Sequence, residues 1–236
     1  MIFSVFRALF ILLVTLAASI AELCAIPFER NGWMFHLVSR IHSYLTLKTC
    51  GVKLEVKGLE NIDPKVTYIF VSNHASLLDI PSVIRGLPMR VRMVYKKELH
   101  KVPLFGWGLK FSKVYIGIER GSGPDARRSI ERAAERIRNG DSVLLFAEGT
   151  RTRDGKLQPF KRGAFHLAAL AGVPVVPLTI NGSYKVLPRG SWKITPGTIT
   201  LVLEQPIKPP EADGRDSEMQ FKDRIQEIIR KHYIDQ

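Results

Sequence analysis

Apolar and polar positions along this chain change their period after the first fifty residues. From Ala8 to Ala21 the sequence ALFILLVTLAASIA carries no charge, with Arg7 before it and Glu22 after it. A bilayer-spanning helix needs about 20 apolar residues, and Glu22 interrupts this run after 14, although Leu23–Phe28 extends its apolar character. Between Asn31 and Lys48 the pattern becomes amphipathic. Met34, Leu37, Val38, Ile41, Tyr44 and Leu45 recur at helical spacing, while Ser39, Arg40, Ser43 and Lys48 occupy other faces. Helices with a basic polar side lie in the headgroup plane of a membrane. Residues 1–50 are therefore expected to form a helical pair that enters a membrane surface and returns. A signal peptide cut after Ser19 and Ala21 is the alternative. Arg30, Arg40, Lys48 and Lys53 follow the apolar run and favour a cytoplasmic face for the rest of the chain.

From Val52 onward, short apolar runs alternate with helical patterns. The runs predict strands at Val52–Lys57, Val66–Ser72, Val91–Tyr95, Val114–Ile118, Ser142–Ala147, Pro174–Ile180 and Thr198–Leu203. VTYIFVS, SVLLFA and VPVVPLTI are continuously apolar, as strands covered on both faces are. Helices are expected at Ser76–Arg85, Leu99–Phe111, Pro124–Asn139, Lys161–Ala171 and Asp216–Tyr233. The alternation implies an α/β fold over residues 51–236: a mainly parallel open sheet of about seven strands flanked by helices.

Charge narrows the partner. Lysine and arginine total 35 against 22 acidic residues, a formal net charge of +13, which suits an anionic membrane, a phosphorylated substrate or nucleic acid. Basic stretches interleaved with aromatics are absent, so nucleic acid is not expected. Cys24 and Cys50 have no Cys or His at metal-ligand spacing, so neither a metal site nor a disulfide framework is expected.

Ligands of open parallel sheets bind beyond the carboxyl ends of the strands, and two polar clusters lie there. After the second strand comes Asn73-His74-Ala75-Ser76-Leu77-Leu78-Asp79. Histidine can take a proton from a hydroxyl near neutral pH, given a partner that orients it. Asp79 can be that partner if His74 lies in the turn and Asp79 in the first helical turn; in mid-helix the two would point apart. Ser76-x-x-Asp79 is equally a capping box, with His74 an ordinary strand-end histidine. After the fifth strand comes Glu148-Gly149-Thr150-Arg151, where Gly149 permits a sharp turn and Arg151 offers a planar fork for phosphate oxygens. Arg153, Lys156 and Arg162 read as solvated basic residues. Lys97 and Arg120 follow the third and fourth strands and could extend a basic pocket. No GxxxxGK[ST] motif is present.

Together these residues resemble the bacterial 1-acyl-glycerol-3-phosphate acyltransferases of the glycerolipid acyltransferase superfamily. The family's Asn-His-x4-Asp motif matches Asn73 to Asp79, with Ser76 two after the His. Its Phe-Pro-Glu-Gly-Thr-Arg motif matches Phe146 to Arg151, with Ala147 in place of Pro. Tyr115 to Arg120 is similar to an intermediate motif ending in Arg, with Glu119 where Asp is usual. Val173-Pro174-Val175-Val176-Pro177 is similar to a fourth motif. Lys97-Glu98-Leu99 followed by Pro103 to Trp107 matches a further stretch. The resemblance covers residues 50 to 205 and implies acyl transfer from acyl-CoA or acyl carrier protein to lysophosphatidate, at the inner membrane, without cofactor or metal. It implies His74 as general base oriented by Asp79, and Glu148, Gly149, Thr150, Arg151, Lys97 and Arg120 as substrate-binding, with Asn73, Ser76 and Pro177 in support. A lyso-ornithine lipid or another lysolipid as acceptor is the nearer alternative; a thioesterase or hydrolase using Ser76 is the more distant one.

Overall fold

The structure is a computed structural model and describes residues 2–28, 32–112, 114–119, 121, 123–211 and 214–235. Its centre is a seven-stranded sheet built from β1 (Val52–Lys57), β2 (Ile69–Ser72), β3 (Arg92–Lys96), β4 (Ile116–Ile118), β5 (Val143–Phe146), β6 (Val175–Asn181) and β7 (Gly197–Leu203). The spatial order is β1-β7-β6-β2-β5-β3-β4. Pairings are parallel except β6 with β7. Five strands therefore end on one edge, while β1 and β7 run the opposite way.

The continuously apolar runs occupy the middle of the sheet. Every residue of β2 and β6 is buried. One face is covered by α2 (Trp33–Thr49), α3 (Asp79–Gly86) and the short α7 (Ser183–Val186), whose Leu47, Val83, Ile84 and Val186 join Phe70, Leu178 and Ile180 in one core. The other is covered by α5 (Pro124–Arg138), α6 (Arg162–Ala171) and α8 (Arg215–His232), which bring Ile137, Phe165, Leu167 and Ile225 against Ile69, Val71 and Val143. Fully burying each such aliphatic or aromatic side chain contributes about 1.5–3 kcal/mol. β2 combines the central position with burial on both faces, and it carries the His-Asp turn.

The first helix differs from expectation. α1 (Ile2–Ala25) passes straight through Glu22 and continues as a 3-10 turn over Ile26–Phe28. Glu22 does not break it because its carboxylate faces the protein, accepting from Ser39 Oγ of α2 at 3.3 Å; Ser39 Oγ in turn lies 2.7 Å from the Tyr115 hydroxyl. Phe3–Phe28 is long and apolar enough to cross a membrane, and most of it is exposed. Phe3, Phe6, Leu9, Leu13, Leu16 and Ile20 face outward, an apolar surface that suggests membrane association. Arg30 and Asn31 lie outside the described residues.

The helix expected over Leu99–Phe111 is divided. A 3-10 turn spans Lys97–Lys101, and α4 (Phe105–Ser112) begins beyond Pro103 and Leu104, the latter at φ +60°. Proline removes an amide donor and blocks the preceding residue from helical geometry, so the pattern could not continue through it.

Candidate active site

The turn after β2 positions His74 by four backbone and side-chain bonds. The Asn73 side chain donates to Ile180 O at 2.9 Å and accepts from Ile180 N at 2.8 Å, extending the β2–β6 ladder while the main chain turns away. His74 O accepts from Thr152 N at 2.9 Å, and His74 N donates to Glu148 Oε1 at 3.2 Å. The imidazole stacks on the Phe146 ring, 3.8 Å between centroids and 11° from parallel. Its side chain is 16% exposed.

Asp79 is fully buried at the first position of α3, three residues later than the predicted helix start. Its Oδ2 lies 2.7 Å from His74 Nδ1 and also accepts the amides of Ala75 at 2.7 Å and Ser76 at 2.9 Å. The carboxylate closes the turn and holds the ring, whereas Ser76 does not cap the helix, which begins after Leu78 with no side-chain cap. An oxygen that already accepts two N–H groups takes a third hydrogen from Nδ1. The neutral ring then keeps its lone pair on Nε2, the atom that could receive a proton from a bound hydroxyl.

Ser76 is fully buried, and its hydroxyl donates to Leu187 O at 2.8 Å and accepts from Leu78 N at 3.2 Å. It ties the turn to the loop after β6 and is not offered to the imidazole.

Glu148 follows β5 and is buried beside this turn. Burial, reinforced by the Asp79 charge and opposed by the His74 amide, pushes its carboxyl up to about 8. Gly149 turns the chain at φ +74°; a methyl there would sit 3.1 Å from Lys161 Cδ and 3.2 Å from Nζ. Thr150 and Arg151 follow, the latter half-buried with its guanidinium making no hydrogen bond or ion pair to a described residue. Burial, then the nearby Arg189, depresses its pKa, and Asp79 offsets part of this. A cation kept partly out of water and beside another cation is suited to an anion.

The remaining expectations separate. Pro177 lies buried in β6 opposite Val71 and serves the sheet. Lys97 is paired with Glu119 at 2.6 Å beyond β3, two strands from β2 and so about 10 Å across the sheet at a strand spacing of about 4.8 Å. It does not join the His74 turn as a free cation. Arg120 lies outside the described residues. Arg162 pairs with Glu218 of α8 at 2.8 Å, a contact between helices. Arg189 was missed. It donates through Nη1 to Arg151 O at 2.7 Å and to Thr150 Oγ1 at 3.0 Å. The sequence signal was weak, since Arg189 follows the legible strand at Pro174–Ile180 only after the short helix α7. Among the described residues no three His, Cys, Asp or Glu side chains gather to hold a metal.

A histidine–carboxylate pair on one strand-end turn, hydrogen-bonded through Thr152 N to the next loop, which bears an arginine without an ion-pair partner among the described residues, suits proton transfer beside an anion. The sequence pattern of the acyltransferase family matches residues 53–181, which include both clusters. The chain belongs to the acyltransferase family. Among curated acyltransferases, a chloroplastic 1-acyl-sn-glycerol-3-phosphate acyltransferase of Brassica napus is 37% identical over 79% of this chain and 54% of its own length. That of Pseudomonas aeruginosa is 36% identical over 74% of this chain and 66% of its own length. The chain spans about half the length of the plant relatives it matches. The crystal structure of the 1-acyl-sn-glycerophosphate acyltransferase PlsC from Thermotoga maritima superposes with a TM-score of 0.78 at 25% identity, covering 98% of this chain and 95% of that one. The acyltransferase resemblance thus extends through α1 and α2, beyond the matched segment.

Proposed function

We propose that this chain transfers a fatty acyl group from acyl-CoA or acyl carrier protein to the sn-2 hydroxyl of 1-acyl-glycerol-3-phosphate, giving phosphatidic acid. One observation carries the proposal: Asp79 holds His74 through Nδ1, on a turn whose carbonyl accepts from Thr152 N of the loop that bears Arg151. The acceptor's phosphate sits against Arg151, and its hydroxyl reaches Nε2. As the hydroxyl proton passes to Nε2, the oxygen bonds to the acyl carbon. The carbon–sulfur bond then breaks, and the proton leaves with the thiol. Asp79 stabilises the imidazolium formed between these events. Every step uses residues of the chain, and the thioester is a co-substrate, so the scheme calls for no resident cofactor or metal. Holding hydroxyl and base in one orientation is the larger part of what such a site supplies.

Residues 1–50 serve as the membrane-associating pair in this reading and residues 51–236 as the catalytic domain, on the cytoplasmic face of the inner membrane. α1 supports a helix that lies along the domain. Ser4 Oγ accepts from Ile194 N at 3.3 Å near one end, and Ala25 packs with Phe35 and Val114 at the other. Its apolar outer face meets the bilayer, where lysophosphatidate and acyl chain reside.

The test is product formation by the purified chain in detergent. Lysophosphatidate should be acylated from at least one of the two thioester donors, and His74→Ala should abolish turnover. Acylation of lyso-ornithine lipid or another lysolipid, with none on lysophosphatidate, refutes the assignment of acceptor.

A further inference from the structure

Three adjacent strands, β5, β2 and β6, end side by side with β2 in the middle. The loops after the outer two both close over the His74 turn. The β5 loop does so through Thr152 N to His74 O, and the β6 loop through Ser76 Oγ to Leu187 O at 2.8 Å. Two residues beyond that anchor, the Pro188-Arg189-Gly190 turn extends Arg189 across to the β5 loop. We infer that Arg189 is a second phosphate-binding residue of this site, completing with Arg151 a two-guanidinium clamp for the acceptor's phosphomonoester. The inference rests on the acyltransferase reading above and names a substrate contact within it.

The hydrogen-bond geometry of Arg189 supports this. A guanidinium has five N–H donors. Here both hydrogens of Nη1 are used, one to the carbonyl of Arg151 and one to Thr150 Oγ1. These bonds hold the group in place from one end. The opposite edge, Nε–H with Nη2, is the pair that engages two phosphate oxygens at once. No described residue accepts from that edge. A surface arginine with no role in binding would sample solvent; this one is fixed at its rear and open at its front.

Charge supports it as well. Arg189 lies close enough to Arg151 to disfavour its charge, and among the described residues neither guanidinium is paired with a carboxylate. Asp79 offsets part of this at Arg151, and its Oδ2 is committed to His74 and two amides. Two cations held together without a counter-ion are relieved by a dianion between them, and a phosphomonoester supplies one.

Arg189→Gln and Arg189→Lys test the inference in two ways. In steady-state assays with lysophosphatidate, Arg189→Gln should raise KM by about 10- to 100-fold, the worth of charge-assisted hydrogen bonds. Its kcat should change far less. Arg189→Lys keeps the charge but not the fork and should fall between. In parallel, titration of wild type and variants with glycerol 3-phosphate, followed by phosphorus NMR, reads anion binding without turnover. Affinity should fall in the same order, with circular dichroism unchanged. A KM within twofold of wild type for Arg189→Gln, or equal glycerol 3-phosphate affinity in all three proteins, overturns the clamp. Wild type that binds glycerol 3-phosphate through Arg189 but never acylates lysophosphatidate overturns the proposed function and leaves the anion site standing.

Discussion

Replacing Glu148 with glutamine should change the pH dependence of stability in a direction fixed by burial. The carboxyl of Glu148 is pushed from 4.5 to about 8, chiefly by desolvation, so the folded chain holds a proton there that the unfolded chain releases above pH 4.5. Its stabilising contribution is fully present below the unfolded value and is lost as pH rises to the folded one. In that window wild-type stability falls by about 1.4 kcal/mol per pH unit from this group alone. Glutamine retains an oxygen to accept the His74 amide but does not titrate. The difference between wild type and Glu148→Gln should therefore grow by about 2 kcal/mol from pH 5.5 to pH 7.0, to the variant's advantage. Urea unfolding in detergent micelles measures it at several pH values. Far-UV circular dichroism is the better signal, because Trp33, Trp107 and Trp192 are all exposed. Subtracting the variant's profile removes what other groups contribute in common. Parallel profiles would refute the argument, since they would mean that Glu148 is ionised in the folded chain.

Asp79→Asn should lower kcat on lysophosphatidate by about a thousandfold or more, because an amide no longer compels Nδ1 to carry the proton; KM should move less, and initial-rate kinetics separates the two. Ser76→Ala should retain kcat within about tenfold while losing about 1–3 kcal/mol of stability, since Leu187 O and Leu78 N lose their partner. Mass spectrometric capture of an acyl group on Ser76 would contradict that expectation. Gly182→Ala should prevent soluble folding, since a Cβ at φ +86° would lie 2.1 Å from Thr198 O; Gly163→Ala, with nothing within 4 Å, should raise the unfolding midpoint through a gain of about 0.4–1 kcal/mol.

The parts of the fold that were legible in the sequence are those where burial dictates composition. IFVS and VVPLTIN have no polar face because helices cover both sides, and their runs read as strands within three residues of β2 and β6. The reversal of β7 was not legible, since its alternating burial reports one covered face and says nothing of direction. Glu22 misled because hydropathy counts a charge wherever it points, whereas this one points at Ser39. The His74–Asp79 pair could be posed from spacing, but the three hydrogens on Asp79 Oδ2 depend on where α3 begins. Lys97 and Arg189 illustrate the rest. Both follow strand ends, and only the three-dimensional partners distinguish a cation neutralised by Glu119 from one aimed beside Arg151.

The paired bonds between the Asn73 side chain and the Ile180 backbone join residues 107 positions apart. During synthesis, His74 and Asp79 leave the ribosome long before Ile180 exists. The amide of Asn73 then has no strand to grip, and the loop carrying Leu187, which receives the Ser76 hydroxyl, follows later still. A nascent chain released before β6 would contain the whole Asn-His-x4-Asp motif and still lack the shape that makes it reactive.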